Sequence, residues 1–239
     1  MKCCKVIVCC DNLNRRIELA NYPHHSQNLK SLNDYKELWQ TILDYENIFA
    51  AGVEMDTIII FNGENDFFDK YDGTKTKNGT LYVRHRENLG GSFGGFNYAF
   101  ENFKYDFYMF LEDDTLTVRH GYYADTLSHW KENSGFIALI GSANEEPPVK
   151  MGHCHGGVGL TSREVLDKVY AKFGKLPNSN TPFSTSAERS QVILEGEVPF
   201  TRSIYDMGYN NEYWGLPKWD ESNHMLPYHF IKNNYYIAK

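Results

Sequence analysis

Residues 109–115 read MFLEDDT. Tyr108 to Leu111 form a continuous apolar run, which is how a strand buried on both faces appears in sequence. The run ends in three consecutive acids, Glu112, Asp113 and Asp114. Adjacent carboxylates repel one another unless something positive sits among them. Clustered at a strand exit, they suit a hard divalent cation. Mg²⁺ in such sites takes one or two protein carboxylates and leaves its other positions to water and substrate phosphates. The three acids alone fit an acidic loop ahead of a helix equally well, since a helix N-terminus favours negative charge.

Outward from this stretch, apolar runs alternate with amphipathic ones. Strands are expected at Lys5–Cys10, Asp56–Phe61, Thr80–Val83, Phe107–Leu111 and Phe136–Ile140. Leu32–Phe49 carries Leu32, Tyr35, Leu38, Trp39, Ile42 and Leu43 at near-helical spacing. Further helices are expected at Phe93–Phe103, Tyr122–Lys131 and Ser162–Phe173, the last with Ser162 as its N-cap. Such alternation argues for an α/β fold with a mostly parallel sheet flanked by helices. Ligands of open α/β sheets bind outside the carboxyl ends of the strands. The expected exits are Cys10-Asp11-Asn12, Asn62-Gly63-Glu64, Arg86-Glu87-Asn88 and Glu112-Asp113-Asp114. All are polar and would share one rim, which makes the acids a candidate site. Gly174–Ser186 reads as a mobile loop.

The 239 residues suit one domain, read as two halves, residues 1–115 and 116–239. A net charge of -7 and the lack of any Lys/Arg run argue against nucleic acid as a partner. No apolar stretch is long enough for a membrane span, and the N-terminus turns polar at Asp11, too early for a signal peptide. Cys3, Cys4, Cys9, Cys10 and Cys154 are odd in number and partly adjacent. That pattern argues for free thiols in a reducing, cytoplasmic setting. Small buried apolar residues are a better reading of them than a zinc site.

A second motif bears on the acids. Residues 86–99 read RENLGGSFGGFNYA, with Gly90, Gly91, Gly94 and Gly95 flanked by Asn88 and Asn97. Glycines so dense bring backbone close to a ligand, or a helix close to a sheet. The spacing matches neither a dinucleotide fingerprint nor a P-loop.

Together these stretches resemble a family 2-type glycosyltransferase with the GT-A fold, closest to the galactofuranosyl- and rhamnosyltransferase branch. That branch carries N-x-G-G-(S/A)-G-G-(F/Y) ahead of an acidic D-D-D motif. Here Asn88 to Phe96 match with one extra residue, Phe93, and Glu112 replaces the first Asp. DTIIIFNGEND, residues 56–66, resembles the family's second strand and following turn, with Asp66 in the place of the nucleotide-side Asp. GGVGLTSREVLDKV, residues 156–169, resembles the acceptor-side glycine turn and the helix behind it.

EGEVPFTRSIYDMGY, residues 195–209, resembles the region that supplies the catalytic base. Counted from Gly208-Tyr209 the base is Glu197. Counted from Arg202 the register shifts to Glu195. The segment from Trp214 to Asn234 resembles the family's C-terminal metal-binding stretch, where Asp220 or His224 would stand for the family's His.

The resemblance implies a metal-dependent, inverting transfer of sugar from a UDP- or dTDP-sugar to a glycan or glycoconjugate acceptor. Glu112 and Asp114 would bind Mn²⁺ or Mg²⁺, joined by Asp220 or His224. Asp11, Asn62, Asp66, Asn88, Gly90, Gly91 and Asp113 would face the nucleotide-sugar. Trp214 and Trp219 could stack on a sugar. His153, Cys154 and His155 suit packing or the acceptor side, because neighbours on a strand cannot all face one ion. Two other readings stay open: an inactive nucleotide- or glycan-binding module, and a sugar nucleotidyltransferase. The latter usually places its glycine loop directly after the first strand.

Overall fold

The computed structural model describes residues 1–10, 31–139, 141–142, 153–154, 157–177, 193–213 and 225–227. In chain order the elements are β1 (Cys3–Cys10), α1 (Leu32–Ile48), β2 (Met55–Asn62), β3 (Leu81–Arg86), α2 (Gly91–Asn102), β4 (Phe107–Glu112) and β5 (Thr115–Thr117). There follow α3 (Tyr122–Ser128), β6 (Ser134–Ala138), β7 (Gly141–Ser142), β8 (His153–Cys154), β9 (Gly159–Ser162), α4 (Arg163–Phe173), α5 (Val198–Asp206), β10 (Asn210–Tyr213) and β11 (Met225–Pro227).

The main sheet has the order β10-β6-β9-β4-β1-β2-β3. β1 pairs in parallel with both β2 and β4, β2 with β3, and β6 with β10. β9 is antiparallel to both β4 and β6. Every strand except β9 therefore exits at the same rim. This is the mostly parallel mixed sheet that the strand–helix alternation predicts. Two of its strands, β10 and the antiparallel β9, are departures, and the glycine-rich stretch before α4 did not reveal β9. Its four residues are too few to show a period, and Gly159 is needed because a Cβ there would overlap the Phe136 ring and the Ile137 carbonyl.

Both faces of the sheet are covered. Tyr35, Leu38, Trp39 and Ile42 of α1 and Tyr122 and Tyr123 of α3 pack with Ile7, Ile59 and Leu111 on one side. Phe96, Ala99 and Phe100 of α2, Val165 and Val169 of α4, and Phe200 and Ile204 of α5 pack with Val6, Ile58 and Phe110 on the other. Ser31 caps α1 in a capping box with Asp34, and the Ser162 side chain accepts from Val165 N as expected. α3 stops at Ser128, short of the expected Lys131. Residues beyond 177 in the expected 174–186 loop lie outside the described residues.

One charged group interrupts the apolar central strand. Lys5 is fully buried in β1. Its ammonium pairs with Glu46 of α1 and donates to Tyr122 Oη at 2.8 Å. Thr57 donates to the other Glu46 oxygen at 2.7 Å. Burial lowers the Lys5 pKa, and Glu46 works against that shift.

The edge opposite the rim closes on itself. Asp106 N donates to the Lys2 carbonyl at 2.8 Å, and Arg163 N to the Asp106 carbonyl at 2.8 Å. The Asp56 carboxylate accepts from Thr80 N at 2.7 Å and from Tyr105 Oη at 2.8 Å. Cys3, Cys4 and Cys9 are buried free thiols, and Cys10 is partly exposed. Among the described residues no helix is long and apolar enough to cross a membrane.

Candidate functional site

The exits of β1, β2, β3 and β4 are Cys10, Asn62, Arg86 and Glu112. The register pairs Cys10 with Asn62 and Asn62 with Arg86, so three of these exits stand side by side. Between them and the acids lies the first turn of α2. Gly90 caps that helix at φ +68° and Gly91 opens it at φ +52°, a left-handed pair that L side chains rarely adopt. Its first amides therefore face the rim, where a helix N-terminus favours anions.

The four glycines have distinct reasons. Gly90 and Gly91 make the turn. A Cβ at Gly94 would overlap the Leu89 carbonyl and lie 2.6 Å from an Arg86 guanidinium nitrogen. A Cβ at Gly95 would lie 2.5 Å from the Val8 side chain on β1. Gly94 thus leaves room for Arg86, and Gly95 lets α2 sit tight on the sheet.

Among the described residues Arg86 places a positive group at this rim, and the sequence alone did not single it out. Its signal was only a basic residue at a strand exit; its role depends on the space above Gly94. Arg86 donates to Asn62 Oδ1 at 2.8 Å, while Asn62 Nδ2 donates to the Gly91 carbonyl at 3.0 Å. Asn62 is buried and uses its amide to tie the exit of β2 to both Arg86 and the glycine turn. Partial burial lowers the Arg86 pKa, countered by Glu87 and Glu101.

The three acids take different surroundings. Glu112 accepts from the Ser92 hydroxyl in the first turn of α2. Asp113 is 2% exposed and accepts from Cys10 N at 3.3 Å, so it braces the neighbouring strand exit. Asp114 is half-buried in the turn before β5. β5 pairs antiparallel with β11, with Pro227 opposite Thr115, so the C-terminal segment comes back beside the acid turn. Asn88 donates to Cys10 Sγ at 3.4 Å. Asn97 accepts from Leu176 N at 2.9 Å and from Tyr170 Oη at 2.5 Å. Asp66 is exposed in the loop after β2, and its carbonyl accepts from Asp69 N at 3.1 Å.

The candidate base lies on an element that reaches the same turn. Phe200 of α5 packs edge-on against Phe93 of α2, with ring centroids 5.5 Å apart. Phe93, the extra residue of the glycine motif, is 1% exposed, and the Gly157 turn also packs on it. Glu197 ends the π turn Ile193–Glu197, three residues before Phe200, and is 5% exposed. Glu195, in the same turn, is exposed. Asp11, Asp220, His224, His155, Trp214 and Trp219 lie outside the described residues.

Among the described residues no group of three metal-ligating side chains is assembled. The donors at the acid turn, Glu112 and Asp114, are hard oxygen ligands. They suit a cation such as Mg²⁺ that takes only one or two protein carboxylates, and not one that needs a closed protein cage.

No family model matches the sequence, and no curated protein does. Solved structures do. A protein from Bacillus anthracis, assigned as a glucose-1-phosphate thymidylyltransferase and seen with a sucrose, is 13% identical at a TM-score of 0.51. The match covers 94% of this chain and 89% of that one. The fold is GT-A. Two other GT-A-like matches are a Pyrobaculum calidifontis mannosyltransferase in complex with GDP-Man and Mn²⁺, and S. aureus TarS 1-349 with UDP-GlcNAc. The first is 15% identical with a TM-score of 0.49, covering 92% of this chain and 58% of its own. The second is 14% identical with a TM-score of 0.49, covering 94% and 60%. The present chain spans less than two thirds of the length of either of these two. In a GT-A sheet of this order, the rim built by Asn62, Arg86, Gly90, Gly91 and Glu112 stands outside the strand ends, where open α/β sheets take ligands.

Proposed function

We propose that this chain transfers a sugar from a nucleotide-diphospho-sugar, UDP- or dTDP-linked, to a hydroxyl of a glycan or glycoconjugate acceptor. The observation that carries the reading is one convergence. The glycine turn, Arg86 and the acid turn meet at one rim, and the helix start bearing Glu197 packs onto the same glycine turn through Phe93 and Phe200.

Such a transfer needs the leaving diphosphate neutralised, the acceptor proton removed and the reactants aligned. The α2 amides and Arg86 supply positive potential for the diphosphate. Glu112 and Asp114 would hold Mn²⁺ or Mg²⁺, with Asp220 or His224 as a further ligand, and the ion would act as a Lewis acid on the diphosphate. Asp113 and Asn62 brace the rim, while Asn88 and Asp66 stand towards the nucleotide. Burial of Glu197 and exposure of Glu195 favour Glu197 as the general base. A base on the face opposite the leaving group gives inversion at the anomeric carbon.

A sugar nucleotidyltransferase is the second reading, since the Bacillus anthracis protein of the same fold is assigned to that class. The glycine turn here follows β3 and not β1, which favours the transferase. The test is incubation with a panel of UDP- and dTDP-sugars, with Mn²⁺ or Mg²⁺ and without. Nucleoside diphosphate release that Glu197→Gln abolishes supports transfer. Pyrophosphate made from a nucleoside triphosphate and a sugar 1-phosphate would replace it with the nucleotidyl reading. Binding without either product would leave a binding module.

A further inference from the structure

The loop that carries Asp66 is held by a side chain outside the site just described. His85 lies one residue before the end of β3, opposite Phe61 in the ladder, with the two rings 5.7 Å apart. Its Nδ1 is 3.2 Å from the Gly63 carbonyl oxygen. Its Nε2 is 2.6 Å from Asp69 Oδ1. A carbonyl and a carboxylate only accept hydrogen bonds. A neutral imidazole has a single N–H and can satisfy one of them, whereas an imidazolium satisfies both.

The two acceptors bracket residues 63–69. Inside the bracket the chain is ordered by short bonds, Phe67 N to Asn65 Oδ1 at 3.1 Å and Asp69 N to the Asp66 carbonyl at 3.1 Å. Phe68, fully buried, anchors the far end against Trp39 and Phe61. At the near end Gly63 N donates to the Arg86 carbonyl at 3.0 Å, and His85 adds the side-chain tie that joins both ends of the bracket to β3.

We propose that His85, in its imidazolium form, clamps the 63–69 loop to β3, so that the placement of this loop depends on pH. The charged groups that face the ring are Asp69, in direct contact, and Asp66. From β2 the ring meets Phe61, and α1 reaches that phenyl with Trp39. On β3 itself, Arg84 and Arg86 flank His85 on the opposite face and have their own partners, Asp72 and Asn62. Partial burial of the ring opposes its charge. The bond to Asp69, the Gly63 carbonyl and the charges of Asp69 and Asp66 outweigh it and hold the His85 pKa above its ordinary value. A raised pKa means that the clamp is complete below the unfolded value of about 6.5 and fades as pH rises through the folded one.

The consequence for donor binding rests on the proposed role of Asp66; the clamp does not. Two measurements separate them. The ¹⁵N shifts of His85, followed from about pH 6 to about pH 9, report when the ring loses its second proton. Hydrogen–deuterium exchange of residues 63–69, taken as the ratio of His85→Gln to wild type at each pH, reports the tie. We expect His85 to carry both protons at neutral pH, and the exchange ratio to fall several-fold towards one as His85 titrates. Asp69→Asn, which keeps an acceptor but removes the charge, should lower the His85 midpoint. A ring that is already neutral below its ordinary range overturns the clamp. So does an exchange ratio that stays constant through the titration. Calorimetry with UDP and Mn²⁺ over the same range then addresses the donor site. Affinity that falls with pH in wild type and is flat in His85→Gln extends the clamp to nucleotide binding. Affinity independent of pH while the loop responds removes that extension. No UDP binding at any pH overturns the donor-site reading and leaves the clamp to the exchange data.

Discussion

Glu112, Asp113 and Asp114 are adjacent in the chain and have three different tasks. Asp113 is buried on the Cys10 amide, whereas Glu112 and Asp114 stand at the rim. Asp114→Asn should weaken Mn²⁺-dependent UDP binding at least tenfold by calorimetry. Glu112→Gln should cost less, because the amide oxygen still accepts from Ser92. Equal effects would mean that the ion, if bound, does not distinguish the two. Burial also separates the candidate bases. Glu197→Gln keeps size and hydrogen bonding but removes basicity, so kcat should fall by about 10²–10⁴-fold, roughly 3–5 kcal/mol of barrier. UDP affinity should survive, because a base touches the acceptor. Exposed Glu195→Gln should stay near wild type, and the reverse result would move the base by two residues. Much of this site was legible as residue types at strand exits. Arg86 was not, because its role depends on the space that Gly94 leaves, and neither were the partners of Asn97, Leu176 and Tyr170, because sequence does not say which face of α2 it occupies.

At the scale of elements, the glycine helix and the central strand make opposite demands. α2 needs small residues where it crosses β1 and Arg86. Gly94→Ala should therefore cost about 1–3 kcal/mol by overpacking, read as a lower melting temperature, and should weaken UDP binding by displacing Arg86. β1 instead carries a buried ion pair. Lys5→Met leaves Glu46 buried without its cation and should cost about 3–5 kcal/mol, while Lys5→Met combined with Glu46→Leu should recover most of that loss in denaturant melts. A double variant as unstable as the single would show that Tyr122 and Thr57 depend on the charge itself. Nothing in the sequence announced this pair. A lysine five residues into the chain reads as a strand margin, and its partner lies forty-one residues away on the buried face of α1.

For the whole molecule, the sheet was legible because parallel strands covered on both faces appear as apolar runs, and β1, β2 and β4 do, while the edge strand β3 reads LYVRHR. β9 escaped because its direction is set by its neighbours and not by any pattern of its own. The short ladders of β5 with β11 and β7 with β8 escaped for the same reason, being only two or three residues long. The Lys2, Asp106, Arg163, Asp56, Tyr105 and Thr80 bonds lie at the edge far from the rim. Strand register is thus locked from below, like a comb held by its spine. Replacing residues 64–66, which carry no buried side chain, by a segment of other length should leave the melting transition cooperative, whereas Asp56→Ala at the spine should loosen β2, β3 and the approach to β4 together. The rim is free to change because stability is kept at the other edge.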